Sequence, residues 1–333
     1  MRYIGNKNRL LININNFIEN NIKEDIVSFC DIFAGTGSVG NFFQNKYKII
    51  SNDYMNYSFI INKGLLVGED DFKGLDYDIF DYFNNLKEDE LISGFFHKNY
   101  SPNGNRMYFS EYNSKKIDTI RIEIEKLLKN GKINENEYYY LLMCLIESVS
   151  KVSNTTGVYG AYLKNWDSRS IKNMEFLKIK LNYHKYENLV YNKDSKILLK
   201  EIEGDLIYVD PPYTNAQYCD QYHILETLTK YDNPEIKGIT GKRDTKNTKS
   251  KFSYKKNALI EFEELMLNMK FKHIVVSYSS HGIISMEDMI NLLKIYGDEK
   301  TLIIEEIKYR RYENARTTKN KELNEYLFYI KKN

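Results

Sequence analysis

The run Asp205-Leu-Ile-Tyr-Val-Asp-Pro-Pro-Tyr213 leaves the chain little choice of fold. Leu206 to Val209 are apolar or aromatic in succession, the pattern of a short buried strand. Two prolines then stop it. Proline has no N–H for a sheet ladder and holds φ at about −65°, so the strand ends at Asp210. Asp210 therefore sits at a strand's carboxyl end, where open α/β sheets place their ligands. A strand-terminating turn with a surface Asp would explain a lone Pro-Pro. It is a much poorer account of a carboxylate, two prolines and an aromatic ring directly behind a buried strand.

Those four residues suit an amino group on a planar ring. Such an amine is a poor nucleophile because its lone pair is delocalised into the ring. Asp210 can accept one of its N–H bonds and the Pro211 carbonyl the other, drawing the nitrogen towards a tetrahedral shape. Pro212 stiffens the turn, and Tyr213 can lie flat against the heterocycle, as extruded bases stack on aromatic side chains.

A second element has the same α/β character. Ile26 to Phe33 reads as a strand, followed by Ala34-Gly-Thr-Gly-Ser-Val-Gly40 and a helix. Gly35, Gly37 and Gly40 match the G-x-G-x-x-G turn that lets a backbone approach a nucleotide. The next strand, Lys48 to Ser51, ends at Asn52-Asp53, and Asp53 lies where an acid can grip two ribose hydroxyls. A structural turn with a helix-capping Asp is the plainer alternative. NAD and S-adenosylmethionine both fit this half-site. Asp210 to Tyr213 favours the methyl donor, because activating an amine is of no use to hydride transfer. Lys7, in the basic segment Met1 to Arg9, is a candidate partner for the donor's amino-acid end. Asp194, ending a strand at Asn188 to Tyr191, is one for its adenine amino group.

The 333 residues allow one large α/β domain with an insertion, or two domains, and suffice for a full core. A 42% apolar share and only four prolines describe an ordered chain. Net charge near +2 says nothing about partners, so the distribution of charge has to. Cys30, Cys144 and Cys219 match no metal or disulfide spacing, which points to reduced thiols in a cytoplasm. No apolar run approaches the roughly 20 residues of a membrane span.

Residues 67 to 185 interrupt the strand–helix rhythm. Asn113 to Asn130 and Glu135 to Ser150 carry apolar stripes at helical spacing, read as core. Between Ser153 and Trp166 lies a Gly- and Thr-rich loop whose Tyr159 and Lys164 suit base and phosphate contacts, or a plain surface. The rhythm resumes with the Asp205 strand and a helix over Tyr218 to Tyr231. A segment from Lys237 to Lys256 follows, with eight Lys or Arg against Asp244 alone. Lys242, Arg243 and Lys251 make it a candidate phosphate-tracking loop. A helix at Ala258 to Met269, a strand at His273 to Tyr278 and a helix at Met286 to Tyr296 come next. Leu302 to Ile307 and Tyr326 to Ile330 read as a terminal antiparallel pair, with the basic, aromatic segment Lys308 to Arg316 between them.

In this order the pieces resemble the Dam-type adenine-N6 DNA methyltransferases, in which the methionine-binding motif precedes the glycine loop. The resemblance covers most of the chain. Met1-Arg-Tyr-Ile-Gly-Asn-Lys7 is similar to their N-terminal motif, although the commoner form has Trp at Tyr3 and Gly at Asn6. It implies that Tyr3 and Lys7 contact the donor's methionine part. Asp31-Ile-Phe-Ala-Gly-Thr-Gly37 is similar to their Phe-x-Gly-x-Gly loop, which adds Phe33 to the donor site. Asn52-Asp53 is similar to their ribose-binding acid, and Asp210-Pro-Pro-Tyr213 is identical to their catalytic tetrapeptide, whose Asp210 is also implied as a donor contact. Asn105 to Phe109 with Arg106, Lys116 to Asp118, Gly157 to Gly160 and Asn314 to Arg316 look like segments of the restriction-associated members.

The implied fold is α/β: a doubly wound, mostly parallel Rossmann-like methyltransferase sheet with a C-terminal antiparallel pair and an inserted helical target-recognition domain. The catalytic domain would comprise 1–66 and 186–333, and the insert 67–185. The implied activity is site-specific adenine-N6 methylation of a flipped base in a short duplex sequence, for restriction-modification. S-adenosylmethionine would be the donor, without a metal. Double-stranded DNA would be the partner of a monomeric chain, alongside a separately acting cognate endonuclease and away from any membrane. Cytosine N4, adenine in RNA, or sequence-specific DNA binding with a vestigial cofactor site are the alternatives.

Overall fold

The structure is a computed structural model that describes residues 3–68, 71–72, 78–309 and 323–333. The nine strands among them are β1 (Ser28–Asp31), β2 (Lys48–Asn52), β3 (Leu189–Tyr191), β4 (Gly204–Val209), β5 (Ile236–Lys237), β6 (Lys242–Arg243), β7 (Phe271–Ser279), β8 (Ile303–Tyr309) and β9 (Leu323–Lys331). Seven form one sheet in the order β3-β2-β1-β4-β7-β9-β8. The first five run parallel, and β9 pairs antiparallel with both β7 and β8. This is the mixed doubly wound sheet with an antiparallel end that the sequence pattern predicts. Chain order reverses at β1, which has β2 on one side and β4 on the other, so the crevice of an open α/β sheet opens at the carboxyl ends of β1 and β4.

The chain divides into two compact units. The sheet unit comprises 7–54, 185–217 and 250–333. The helical unit comprises 1–6, 55–184 and 218–249. The sequence-based division stood at 66/67 and 185/186, and it gave 218–249 to the sheet. The difference has a packing cause. In the helical unit, helix Asn56–Leu65 lies so close to helix Glu135–Val152 that a Cβ on Gly64 would overlap Met143. Helix His223–Lys230 delivers Ile224, Leu225 and Leu228 to the same core. Both are helices without strands of their own to cover, so they go where the apolar surface is.

The two long helices form as their periodicity requires. Glu111–Lys129 buries Ile117, Ile120 and Ile124, and its first turn is capped by the Ser110 hydroxyl, which accepts from Asn113 N at 3.2 Å. Glu135–Val152 is buried on most sides, as a central helix should be. Its N-terminus is a reciprocal cap: Glu137 N donates to Asn134 Oδ1, and Asn134 N to Glu137 Oε2. Near Tyr218 to Tyr231 the expected single helix is two, Tyr218–Gln221 and His223–Lys230, broken at Tyr222.

His223 carries a pH dependence. Its Nε2 lies 2.9 Å from the Tyr159 carbonyl, while Nδ1 is buried with no hydrogen-bond partner among the described residues. Burial pulls its pKa from 6.5 down to about 4. A His depressed in the folded state binds its proton more readily when unfolded. The contribution is therefore intact above about pH 6.5 and erodes as pH falls towards about 4. We expect unfolding free energy to drop by about 2–3 kcal/mol between pH 7 and pH 4.5 from this residue. His223→Gln should flatten that limb in chemical denaturation; an identical limb in both proteins would refute the assignment.

Candidate active site

β4 delivers the Asp205–Tyr213 run in the predicted form. At its start, Asp205 accepts from Val27 N at 3.1 Å, Ser28 N at 3.0 Å and Ser28 Oγ at 3.0 Å, and pairs with Lys272 Nζ at 2.8 Å. This carboxylate staples the amino ends of three neighbouring strands. At the other end the strand stops at Val209, and Asp210-Pro-Pro-Tyr213 leaves the sheet.

Behind Asp210 lies a buried charge cluster. Lys7 Nζ is 3.0 Å from Asp210 Oδ1 and 2.6 Å from Glu325 Oε1, which also accepts from Ser277 Oγ at 2.5 Å. Lys7 is 4% exposed and Glu325 0%. Burial pushes the Asp210 carboxyl above the usual range; Lys7 opposes that shift and Glu325 adds to it. For Lys7 burial works downward, but Asp210 and Glu325 outweigh it and hold the ammonium well above its ordinary range. Asp31 of β1 is buried beside them, and burial, then Asp210 and Asp53, raise its carboxyl strongly. Lys7, a candidate partner for the donor's amino-acid end, stands within ion-pair distance of two carboxylates of its own chain.

Tyr213 is braced. Its ring meets Tyr278 edge-on at 5.8 Å, Lys7 Nζ lies 5.4 Å from its centroid, and its carbonyl accepts from Ile283 N at 3.0 Å. Tyr278 in turn accepts from Ile284 N through its hydroxyl at 3.0 Å. Pro211 is buried, while Pro212 and Tyr213 are half-buried.

The glycine turn stands at the ends of β1 and β2. Gly35 and Gly37 take φ of +52° and +71°, the left-handed region that glycine enters without strain. Gly35 N donates to Asp53 Oδ2 at 2.9 Å, so the acid at the end of β2 holds the turn. Phe33 packs edge-on to Phe252 at 5.3 Å. Asp194 follows β3 and accepts from Lys196 N at 2.9 Å, capping the short helix that begins there. A turn of positive-φ glycines with an acid at the next strand's end fits an adenosine. The helix after it, Ser38–Phe43, has only six residues and gives little dipole for a pyrophosphate. The donor set therefore fits S-adenosylmethionine better than a dinucleotide.

The remaining predicted residues lie in different surroundings. Tyr3 belongs to the helical unit, stacked on Tyr222 at 4.4 Å with its hydroxyl 2.9 Å from that of Tyr57. Tyr159, a candidate base contact by sequence, is 2% exposed and sits in the helical core. Its main chain explains why: the carbonyl accepts from Tyr108 OH at 2.8 Å and N donates to Gln221 O at 2.7 Å. Arg106 is a brace rather than an open cation, with Nε on Ile239 O, Nη2 on Gly238 O, and Nη1 on Asn99 O and Gly104 O. Arg243 makes a two-point pair with Asp232, and Lys242 binds Asp220 at 3.0 Å. Lys164 and Lys251 are exposed. Arg316, and the segment Asn314 to Arg316, lie outside the described residues.

Sequence reasoning missed Glu325 and Ser277, and also the small β5–β6 hairpin. The hairpin's turn carbonyls at 238 to 241 are held by Arg106, Tyr108 and Tyr100. A signal for Glu325 existed: in β9 it shares a face with Leu327 and Tyr329, both buried, where a solvated acid does not belong.

Comparison with known proteins bears on this geometry. Residues 3–292 match the family described as D12 class N6 adenine-specific DNA methyltransferase. The chain is 39% identical to "Modification methylase LlaI" of Lactococcus lactis subsp. lactis and 40% to "Type II methyltransferase M.FokI" of Planomicrobium okeanokoites. All of the chain is covered in both, but only 55% and 53% of those relatives, so it spans about half their length. It is 33% identical to "Type II methyltransferase M.NlaIII" of Neisseria lactamica, covering 99% of that protein.

Proposed function

The chain belongs to the D12 class of N6 adenine-specific DNA methyltransferases, and from that premise we propose that it methylates N6 of adenine within a short duplex DNA sequence, as the modification half of a restriction-modification system. One observation carries the reading above the rest: Asp210-Pro-Pro-Tyr213 leaves the carboxyl end of β4, and the glycine turn leaves that of the adjacent β1. When bound, S-adenosylmethionine supplies a methyl group on a positively charged sulfur, an already activated electrophile. Gly35, Gly37, Phe33 and Asp53 would hold its adenosine part. Asp194, already capping a short helix, would present its remaining acceptor capacity.

The chain's own work lies on the amine. Asp210 accepts one N–H and the Pro211 carbonyl the other, which fixes the nitrogen's orientation and frees its lone pair from the ring. Tyr213, immobilised by Tyr278, gives the extruded base a face to stack on, offsetting part of the few kcal/mol that flipping costs. As the N–C bond forms and the S–C bond breaks, the nitrogen sheds a proton, and the Asp210 carboxylate is the base in reach. Much of the acceleration is positioning.

The inserted helical unit is the proposed DNA-reading part, and the exposed Lys164 belongs to it. Lys251, in the sheet unit, continues the basic segment. "Modification methylase" in the relatives' names supports the modification role. Mapping modified bases across a bacterial genome expressing the chain tests the proposal. The expected result is one short motif carrying N6-methyladenine at nearly every occurrence. Scattered or absent methylation would overturn it.

A further inference from the structure

Lys7 faces two carboxylates, and it stands closer to the one that touches no substrate. Its Nζ is 2.6 Å from Glu325 Oε1 and 3.0 Å from Asp210 Oδ1. Glu325 is 318 residues away in sequence, fully buried on β9, and pinned from β7 by the Ser277 hydroxyl. Its second oxygen, Oε2, is buried with no hydrogen-bond partner among the described residues. Leaving a carboxylate oxygen so exposed to low dielectric is costly, of the order of 1–3 kcal/mol or more. A purely structural need for a cap on Lys7 would be met more cheaply by an amide or a hydroxyl. The position is consistent with a role for the charge itself.

We propose that Glu325 is a positioning residue that draws the Lys7 ammonium away from Asp210, leaving the Asp210 carboxylate basic enough to take the proton that the amine sheds on methylation. The idea rests on the function proposed above. Its logic is a competition. A lysine paired with Asp210 alone would hold that carboxylate firmly ionised, a weak acceptor and a weaker base. Divided between two acids, the same ammonium neutralises only part of Asp210's charge.

The other groups around Asp210 pull the same way or stand aside. Asp31 on β1 is buried with its own carboxyl raised by burial, then by Asp210 and Asp53, and the neutral phenols of Tyr208 on β4 and Tyr213 face Lys7 from the strand itself and the turn beyond it. Ser277 on β7 contributes only a hydroxyl. Lys7 is the cation shared by Asp210 and Glu325, so removing Glu325 hands its whole charge to Asp210. When the proton leaves N6 it passes to an Asp210 oxygen. That carboxyl becomes neutral, the N–C bond is complete, and Lys7 retains Glu325 as its counter-ion.

The test is a carboxyl titration that needs no turnover. The protein is labelled with ¹³C at aspartate carboxyls, and Asp210 is assigned by its loss in Asp210→Asn. Its midpoint is then compared in wild type, Glu325→Gln and Ser277→Ala. In Glu325→Gln we expect the Asp210 midpoint to fall by about one to two pH units, the scale of one unshared ion pair. In Ser277→Ala, which disturbs the same pocket but keeps the charge, it should stay put. If Glu325→Gln does not fold, Glu325→Asp replaces it: the shortened acid loses reach to Lys7, and the midpoint should still fall. An unmoved or raised midpoint overturns the proposal. The acid limb of the methylation rate against pH should move down with the midpoint. If wild type transfers no methyl to adenine, the functional reading fails on its own, and the titration still decides the role of Glu325.

Discussion

Asp210→Ala is expected to lower methyl transfer by about 10²–10⁴-fold, the range lost when a positioned proton acceptor is removed, while the protein stays folded. The two halves of that expectation come from the same geometry. Asp210 supplies the acceptor that orients the amine and receives its proton, and no other described side chain in that turn can do so. Its loss nevertheless leaves Lys7 with Glu325 at 2.6 Å, still a one-to-one buried pair. Burial also penalises the ionised Asp210, whose carboxyl is held above the usual range, so removing it relieves a cost. Donor binding, followed by calorimetry with S-adenosylmethionine, should persist, because the glycine turn is held by Asp53 and not by Asp210. A variant that retains methylation within tenfold of wild type would show that the amine is activated elsewhere.

Lys7→Met is expected to do the reverse and damage the fold. Here the fully enclosed Glu325 and the partly exposed Asp210 lose the ammonium they share. Breaking a buried pair from one side costs about 3–5 kcal/mol, or roughly 6–20 °C in melting temperature for a domain of this size. The sign of the pH dependence follows. Burial already raises the Asp210 carboxyl and Lys7 is the charge that opposes that shift, so without Lys7 its folded-state pKa rises further above the unfolded one. The folded state then binds more protons, and stability is lost as pH rises through the raised value. Thermal melts of Lys7→Met should therefore recover part of the deficit between pH 8 and pH 5. A melting temperature within a degree or two of wild type across that range would mean that the cluster is far better solvated than its burial implies.

The parts of this protein legible in its sequence are those written locally. The two prolines after Val209 stop a strand wherever it lies, and glycines at 35 and 37 admit positive φ before any tertiary contact exists. The stripes Ile117-Ile120-Ile124 and Leu142-Leu145-Ile146 place helices and core together. What was not legible is written across distance. Lys7 and Glu325 are 318 residues apart, and nothing local says that one will neutralise the other. Arg106 looks like a surface cation because the carbonyls it serves, at Gly238 and Ile239, belong to a hairpin more than 130 residues on. Tyr159, in a Gly-rich loop, looks exposed until Tyr108 and Gln221 close over its main chain. The unit boundaries shifted for the same reason: helices Asn56–Leu65 and His223–Lys230 follow the nearest apolar surface, not the nearest strand.

The central claim is that the amine held at Asp210 and Pro211 is the N6 group of adenine in duplex DNA. Its most direct measurement incubates the purified chain with methyl-labelled S-adenosylmethionine and duplex DNA of mixed sequence, then digests the product and separates the nucleosides. Label in N6-methyldeoxyadenosine, lost in Asp210→Ala, is the expected result. Label in N4-methyldeoxycytidine, or in no nucleoside at all, would contradict it.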